Sequence, residues 1–231
     1  MSPIERRYAP TEFAIRARPG DSGGVIVEGH GAVFNSMSQN LGGFIEEVAP
    51  TAFDRTLGDN PDVRALINHE PSMLLGRSRA GTLRLSTDST GLAYEIDMPD
   101  RQDARDLLVS MERGDITHSS FGFRVMPGGD EWSLTADEFP LRTLTAVSIH
   151  NGDVSPVTYP AYEGTDSGIA ERAYKSLAEV RSLDLDKVRE AAQTGVLRAL
   201  IAGEEIEDSD LGETRSGLSI ARARLALLRR S

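Results

Sequence analysis

Apolar and polar residues alternate in many short segments of this chain, as they do in half-buried strands. The clearest of these segments are residues 12–17, 25–34, 63–69, 92–98 and 141–149. Glycine-rich and polar stretches separate them, which favours turns between antiparallel strands. Asn151-Gly152 is the strongest turn signal and predicts a hairpin leading into residue 153. The pattern predicts a β-rich fold.

Helical spacing appears in two parts of the chain. Ala104, Leu107, Leu108 and Met111 form one apolar stripe, and Gly114 follows where a C-terminal glycine is favoured. After Gly164 the composition changes: residues 170–183, 185–201 and 218–230 have helical patterns, and an acidic run occupies 204–213. We therefore expect a β-rich domain over residues 1–164 and a helical, charged tail over residues 165–231.

Composition excludes several classes of function. The 231 residues carry a formal net charge of -11, which disfavours a nonspecific nucleic-acid binder because phosphate neutralisation needs clustered Lys and Arg. Cysteine is absent, so disulfides and a cysteine nucleophile are excluded. No run approaches the roughly 20 apolar residues of a membrane span, and the N-terminus lacks the apolar region of a signal peptide. We expect a cytosolic protein with no membrane partner.

A serine pair at the start of a predicted strand is the first candidate for chemistry. At a period of two, Ser119 shares a face with Phe121 and Phe123, whereas Ser120 lies on the opposite, less apolar face. Ser120 is therefore the better candidate nucleophile. The alternative is that the pair only satisfies backbone groups at a turn.

Three polar residues at predicted strand ends could form a nucleophile, a base and an orienting acid: Ser120, His69 and Asp153. His69 has an alternative interpretation as a core histidine at the end of an apolar face. Because His118 stands where a nucleophile elbow needs glycine, an α/β-hydrolase is disfavoured. The four histidines lack metal-ligand spacing, and no phosphate-binding or dinucleotide-binding glycine motif is present, so we expect neither a metal nor a cofactor.

Several ordered blocks between about Gly29 and Tyr162 resemble the tailed-phage prohead protease family, serine peptidases that process capsid and scaffold proteins inside the assembling head. The blocks are Gly29-His-Gly-Ala-Val-Phe-Asn35, Phe44-Ile-Glu-Glu-Val-Ala-Pro-Thr-Ala-Phe53, Val63-Arg-Ala-Leu-Ile-Asn-His69, Leu75-Gly-Arg77, Gly81-Thr-Leu-Arg-Leu85, Ser120-Phe-Gly-Phe123 and Asp153-Val-Ser-Pro-Val-Thr-Tyr-Pro-Ala-Tyr162. Each block is weak alone, and their order makes the resemblance specific.

This resemblance implies an α+β fold, namely a closed, mainly antiparallel β-barrel with a few helices, like the herpesvirus assembly proteases. It implies a serine endopeptidase with Ser120 as nucleophile, His69 as base and Asp153 as orienting acid. The family usually has a glutamate in place of Asp153, and the herpesvirus enzymes use a second histidine in this role, so His150 is a rival for Asp153.

The resemblance also implies partners and a location. The substrates would be a capsid or scaffold protein and the protease itself, inside the assembling prohead in the host bacterial cytoplasm. The sequence does not determine the oligomeric state, and a homo-oligomer is one of the alternatives. The tail would be a targeting or self-cleaved segment. The rival from another class is a non-catalytic scaffold or assembly protein with the same fold.

Overall fold

The structure of the chain is a computed structural model that describes residues 4–20, 24–159, 167–204 and 206. These residues form thirteen strands, five α-helices and one 3₁₀ turn. The predicted helix over residues 218–230 and most of the acidic run lie outside the described residues. No helix in the described part has both the length and the apolar character needed to span a bilayer.

The strands are β1 (Glu5–Pro10), β2 (Ala14–Ala17), β3 (Val25–Val33), β4 (Ile45–Val48), β5 (Arg64–Ile67), β6 (Glu70–Arg77), β7 (Leu83–Thr87), β8 (Gly91–Asp97), β9 (His118–Val125), β10 (Asp130–Leu134), β11 (Pro140–Leu144), β12 (Val147–Ser148) and β13 (Asp153–Val157). The helices are α1 (Asp54–Gly58), α2 (Gln102–Glu112), α3 (Ser167–Arg181), α4 (Leu185–Thr194) and α5 (Leu197–Ala202).

The first of two compact units contains Met1–Ser36, Glu47–Asp130 and Leu144–Glu163. It holds a six-stranded sheet in the order β1-β9-β13-β5-β6, with β12 also paired to β9. In this sheet β13 and β5 are parallel, and β9 is antiparallel to both β1 and β13. A second, antiparallel sheet has the order β2-β3-β8-β7. The prediction of a β-rich α+β fold is confirmed.

One apolar core serves both sheets of this unit. It includes Val27 and Leu92 from the four-stranded sheet and Phe121 and Phe123 from the six-stranded sheet. The predicted helical stripe contributes to the same core through Ala104, Leu107 and Met111 of α2. Burying apolar side chains from two sheet faces and one helix stripe is the main favourable free-energy contribution to such a layered fold.

The closed barrel that the sequence led us to expect is not found. The strand pairings among the described residues form separate open sheets, and none of these sheets closes on itself. In the six-stranded sheet β1 and β6 are the two edges, and they pair with β9 and β5 rather than with each other. The two sheets of the first unit therefore share a core as packed layers.

Asn151-Gly152 does not make the predicted hairpin. β12 and β13 both pair antiparallel with β9, with Val147 opposite Val125 and Val154 opposite Phe121. Residues 149–153 lie between these two registers, so the chain bulges outward and returns to the same neighbouring strand. Gly152 is required here because a Cβ atom would lie 2.0 Å from the carbonyl oxygen of Gly122. The glycine therefore permits a close backbone approach instead of a reversal.

The second compact unit contains Met37–Glu46, Glu131–Thr143 and Gly164–Ser231. A three-stranded sheet with the order β10-β11-β4 contributes most of its strand residues to this unit. Here Phe44 packs on Trp132, with 5.1 Å between ring centroids, and on Tyr174 of α3, with 6.1 Å. Arg142 and Glu46 form a buried ion pair in the same unit, with 3.0 Å between Nη1 and Oε2.

We expect Arg142→Met to lower the free energy of unfolding by about 3–5 kcal/mol, because the substitution leaves the carboxylate of Glu46 buried without this cation. The side chains of Arg142 and Glu46 are only 1% and 2% exposed. Chemical denaturation measures the change.

The matched control is Arg113→Met. Arg113 pairs with Asp115 at a similar distance, 3.1 Å, but its side chain is 70% exposed, so the expected change is about 1 kcal/mol or less. The double variant Glu46→Met/Arg142→Met should recover much of the lost stability. Equal effects of the two single arginine variants would show that burial does not set the strength of this pair.

Candidate functional site

The two neighbouring serines of β9 make different contacts. Ser120 lies opposite Tyr8 of β1 and opposite Ser155 of β13, in the interior of the six-stranded sheet. Its hydroxyl faces His69, whereas Ser119 shares a hydrogen bond of 2.5 Å with the hydroxyl of Tyr94. The expected alternation is therefore present. Both serines are fully buried, so Ser120 does not open toward solvent as its less apolar neighbours suggested.

His69 lies in the turn between β5 and β6. Both Asn68 and His69 have positive φ, 52° and 59°, which is uncommon for residues other than glycine. The sequence pattern predicted a strand running through His69, but β5 ends at Ile67 and β6 begins at Glu70. The pair of left-handed residues reverses the chain between these strands, and the imidazole reaches Ser120 and Asp153.

The turn that carries His69 is fixed to the end of β13. The backbone N–H of Asn68 donates to the carbonyl oxygen of Pro156 at 3.0 Å. The side-chain amide of Asn68 donates to Oγ1 of Thr158 at 3.1 Å, and its oxygen accepts from the N–H of Thr158 at 2.8 Å. Asparagine suits this position because it tolerates a left-handed backbone better than most residues.

Asp153 is the first residue of β13, and its carboxylate holds the imidazole of His69. Its Oδ2 contacts Nδ1 of His69 and accepts a hydrogen bond of 2.7 Å from the hydroxyl of Ser155. Burial alone would raise the pKa of Asp153, but the hydrogen bonds from His69 and Ser155 and the nearby positive charge of Arg6 hold that pKa below its ordinary value. Asp153 is therefore an ionised acceptor at neutral pH.

The ionised state of Asp153 sets the tautomer of His69. A carboxylate can only accept, so Nδ1 of the neutral imidazole carries the proton that Asp153 accepts. Nε2 is then an acceptor, and it lies 2.7 Å from Oγ of Ser120. The serine hydroxyl donates to Nε2, so the lone pair that could remove the serine proton already faces it.

The structure brings the three predicted residues together and leaves the rival His150 elsewhere. His150 is exposed, and its Nδ1 accepts a hydrogen bond of 3.2 Å from the backbone N–H of Asp62. Both ring nitrogens of His69 are already occupied by Ser120 and Asp153. Within the described part of the chain, no group of three or more His, Asp or Glu side chains could hold a metal ion.

Three residues around this cluster were not predicted. Ser155 orients Asp153, and Gly122 leaves room for it, since a Cβ there would lie 2.8 Å from Oδ1 of Asp153. Tyr8 meets the imidazole of His69 edge-on, with 6.1 Å between ring centroids. The strand that carries Tyr8 was missed because its buried residues include Glu5 and Arg7, which pair with each other at 2.9 Å.

A cleft of about 330 Å³ opens beside His69, and it is lined by Tyr8, Asn68, His69, Val157, Thr158 and Tyr159. A larger cavity of about 1020 Å³ lies between residues such as Val25, Leu75 and Leu108 and includes none of the three clustered residues in its lining. Size alone therefore does not mark the place where the polar groups converge.

Comparison with known proteins gives one family. Among solved structures, the capsid assembly protease gp21 of bacteriophage T4 matches with 10% identity and a TM-score of 0.46, over 68% of this chain and 98% of that chain, which is too distant to support an argument. No curated protein sequence matches. The model of the caudovirus prohead serine protease family matches residues 11–180, well over half of the 231 residues. The chain therefore belongs to the caudovirus prohead serine protease family.

Proposed function

We propose that this serine protease cleaves peptide bonds through an acyl-enzyme on Ser120, with His69 as general base and acid and Asp153 as the orienting acid. The observation that carries the proposal is the unbroken hydrogen-bonded series from Oγ of Ser120 through both ring nitrogens of His69 to Oδ2 of Asp153. A serine hydroxyl is too weakly acidic to attack an amide unaided, and this series supplies the base that it needs.

In the first half of the reaction, Oγ of Ser120 bonds to the scissile carbonyl carbon while its proton passes to Nε2 of His69. The C–N bond then breaks, and the same proton goes to the leaving amine. In the second half, water gives a proton to Nε2 and attacks the acyl carbon. The bond from that carbon to Oγ of Ser120 then breaks, Nε2 returns the proton to Oγ, and the carboxyl product leaves. Asp153 stabilises the imidazolium that forms in each half and keeps its orientation.

The substrates in this proposal are a capsid or scaffold protein and the protease itself, acting inside the assembling prohead in the host cytoplasm. Membership of the prohead protease family supports this assignment. A non-catalytic scaffold is the alternative. The arrangement of Ser120, His69 and Asp153 favours the enzyme, since a scaffold would have no need for an imidazole bonded on both sides.

Ser120→Ala should reduce processing of the capsid protein by at least about 10⁴-fold, because the nucleophile is lost and neither the base nor the orienting acid can replace it. Gel analysis of purified protease mixed with its capsid protein measures this. Ser119→Ala is the matched control: it removes a neighbouring buried hydroxyl that contacts Tyr94 instead of His69, and cleavage should stay within about tenfold. Processing that survives Ser120→Ala would place the nucleophile elsewhere.

Asp153→Asn should lower turnover by up to about 10⁴-fold, because the amide no longer fixes the required tautomer of His69. Steady-state cleavage of a peptide substrate measures the rate. His150→Ala should leave it near the wild-type value, because His150 contacts the backbone of Asp62 and lies outside the hydrogen-bonded series. The reverse result, a large loss with His150→Ala and little with Asp153→Asn, would exchange the two assignments.

The lowered pKa of Asp153 also predicts how the stability of Asp153→Asn, relative to the wild type, depends on pH. A carboxylate with a lower pKa in the folded than in the unfolded state stabilises the fold above its unfolded pKa, about 4, and this stabilisation is lost as the pH falls through the folded value. The stability that the wild type has over Asp153→Asn should therefore shrink as the pH falls below about 4. Denaturation at several pH values tests this.

The proposal also treats residues 165–231 as a tail that targets the protease to the prohead or is removed by self-cleavage, next to a catalytic domain over residues 1–164. The change to helical and charged composition after Gly164 supports it. Helices α3 to α5 belong to one compact unit with Met37–Glu46 and Glu131–Thr143, so a chain ending at residue 206 removes the rest of the tail and keeps these helices. That chain should enter proheads less efficiently than the full-length chain, as measured by immunoblotting of purified proheads. Equal incorporation would argue against targeting.

A further inference from the structure

The cleft beside His69 is lined by residues that neighbour Ser120 on the two adjacent strands. On β13, Ser155 is the register partner of Ser120, and Val157 lies two residues further along the same strand. Val157 and His69 both line the cleft. On the other side, Tyr8 is the register partner of Ser120 and also lines the cleft. A peptide whose carbonyl carbon reached Ser120 would therefore place a neighbouring side chain in this space.

Among the residues that the structure describes, the lining of the cleft has no charged side chain to receive a charged group. None of its six described lining residues is Asp, Glu, Lys or Arg. The polar groups of Asn68 and Thr158 are bonded to each other, and the imidazole of His69 is bonded on both sides. Transferring a charge into such surroundings without a partner is costly, whereas an apolar side chain loses no hydrogen bond there.

The remaining surface is aromatic and aliphatic. Val157, which lines the cleft, is buried, and the ring of Tyr8 stands edge-on to the imidazole. Tyr159 is 81% exposed, an unusual state for a large aromatic side chain in the first unit. Exposed tyrosines beside a cleft are typical of binding surfaces, because the ring adds apolar contact area and little conformational entropy is lost. About 330 Å³ lies at the lower end of the range for ligand pockets and suits one or two side chains.

We propose that this cleft receives an uncharged, apolar side chain of the peptide substrate directly beside the scissile bond, and that Tyr159 and Tyr8 form its walls. The proposal rests on the catalytic roles given above, because it takes Ser120 as the point of attack. Tyr159 is a specificity-determining residue in this scheme. It contacts the substrate side chain and moves no proton.

A set of peptides tests the cleft. Each position flanking the cleaved bond is filled in turn with Leu, Phe, Asp or Lys, and kcat/KM is measured for each peptide. Wild-type protease should prefer Leu or Phe over Asp and Lys by about ten- to a hundredfold at one flanking position, the ratio expected from burying one apolar side chain.

Tyr159→Ala should reduce this preference several-fold at that position alone, and Tyr159→Arg should raise the relative rate for Asp there. Because the side chain of Tyr159 is mostly exposed, neither variant should disturb folding. Val109→Arg on α2 is the matched control. Val109 is another exposed apolar residue, 53% exposed, that lies outside the cleft, so its substitution should leave the preference unchanged.

Labelling of Ser120 with a small organophosphorus reagent separates this proposal from the catalytic one, since the reagent needs the nucleophile and base but no peptide side chain. Normal labelling of both Tyr159 variants with an unchanged peptide preference would overturn the cleft assignment and leave catalysis intact. A preference for charged side chains in the wild type would overturn it as well. Absence of labelling and cleavage in the wild type would overturn the catalytic roles and, with them, the cleft.

Discussion

The site depends on one imidazole that is bonded at both of its ring nitrogens. Nδ1 of His69 contacts Asp153 and Nε2 contacts Ser120, and these two partners come from neighbouring antiparallel strands. Pairing of β9 with β13 fixes the distance between the two partners. The imidazole can join them only because the chain turns through two left-handed residues directly after β5. The hydrogen-bonded series therefore needs both the strand pairing and the left-handed turn.

Burial strengthens the hydrogen bonds of this site, and it also makes the charged carboxylate of Asp153 costly to desolvate. Ser120 and Ser155 are fully buried, and Asp153 is 6% exposed. Electrostatic interactions are stronger in such surroundings than in water, but an unpaired carboxylate there would be strongly destabilising. Hydrogen bonds from His69 and Ser155 offset that cost and keep Asp153 ionised. Position 122 also has to be glycine for steric reasons, because any side chain there would occupy the space of the Asp153 carboxylate.

The same sheet positions the site and limits access to it. β1 pairs with β9 from His118 to Phe123, so Ser120 is flanked by β1 and β13 within the sheet, and its hydroxyl lies on the face that His69 occupies. The cleft next to His69 is also lined by Tyr8, the register partner of Ser120 in β1. In the proposed reaction, the scissile bond of the substrate would approach Ser120 from this face, and the residues that line the cleft would contact a neighbouring side chain. The pairing of β9 with β13 therefore positions both the proposed nucleophile and the residues that line the cleft.

Local pattern identified most of the strands, the stripe of α2 and the chemical types of the candidate site. Alternation placed Ser119 and Ser120 on opposite faces, and the ordered blocks led to the family that the chain belongs to. Local pattern failed where distant segments decide the conformation. β1 was missed because its buried Glu5 and Arg7 satisfy each other, the hairpin at Asn151-Gly152 is a bulge along β9, and the sheets stay open.

The sequence by itself determined which residues could act as nucleophile, base and acid, because side-chain chemistry and alternation are local properties. Only the tertiary structure decided that Asp153 and not His150 contacts His69, and that Ser155, Gly122 and Tyr8 surround them. The physical reason is that these contacts join residues up to 84 positions apart. Their distances are set by strand register and by a left-handed turn, and neither leaves a periodic trace in the sequence.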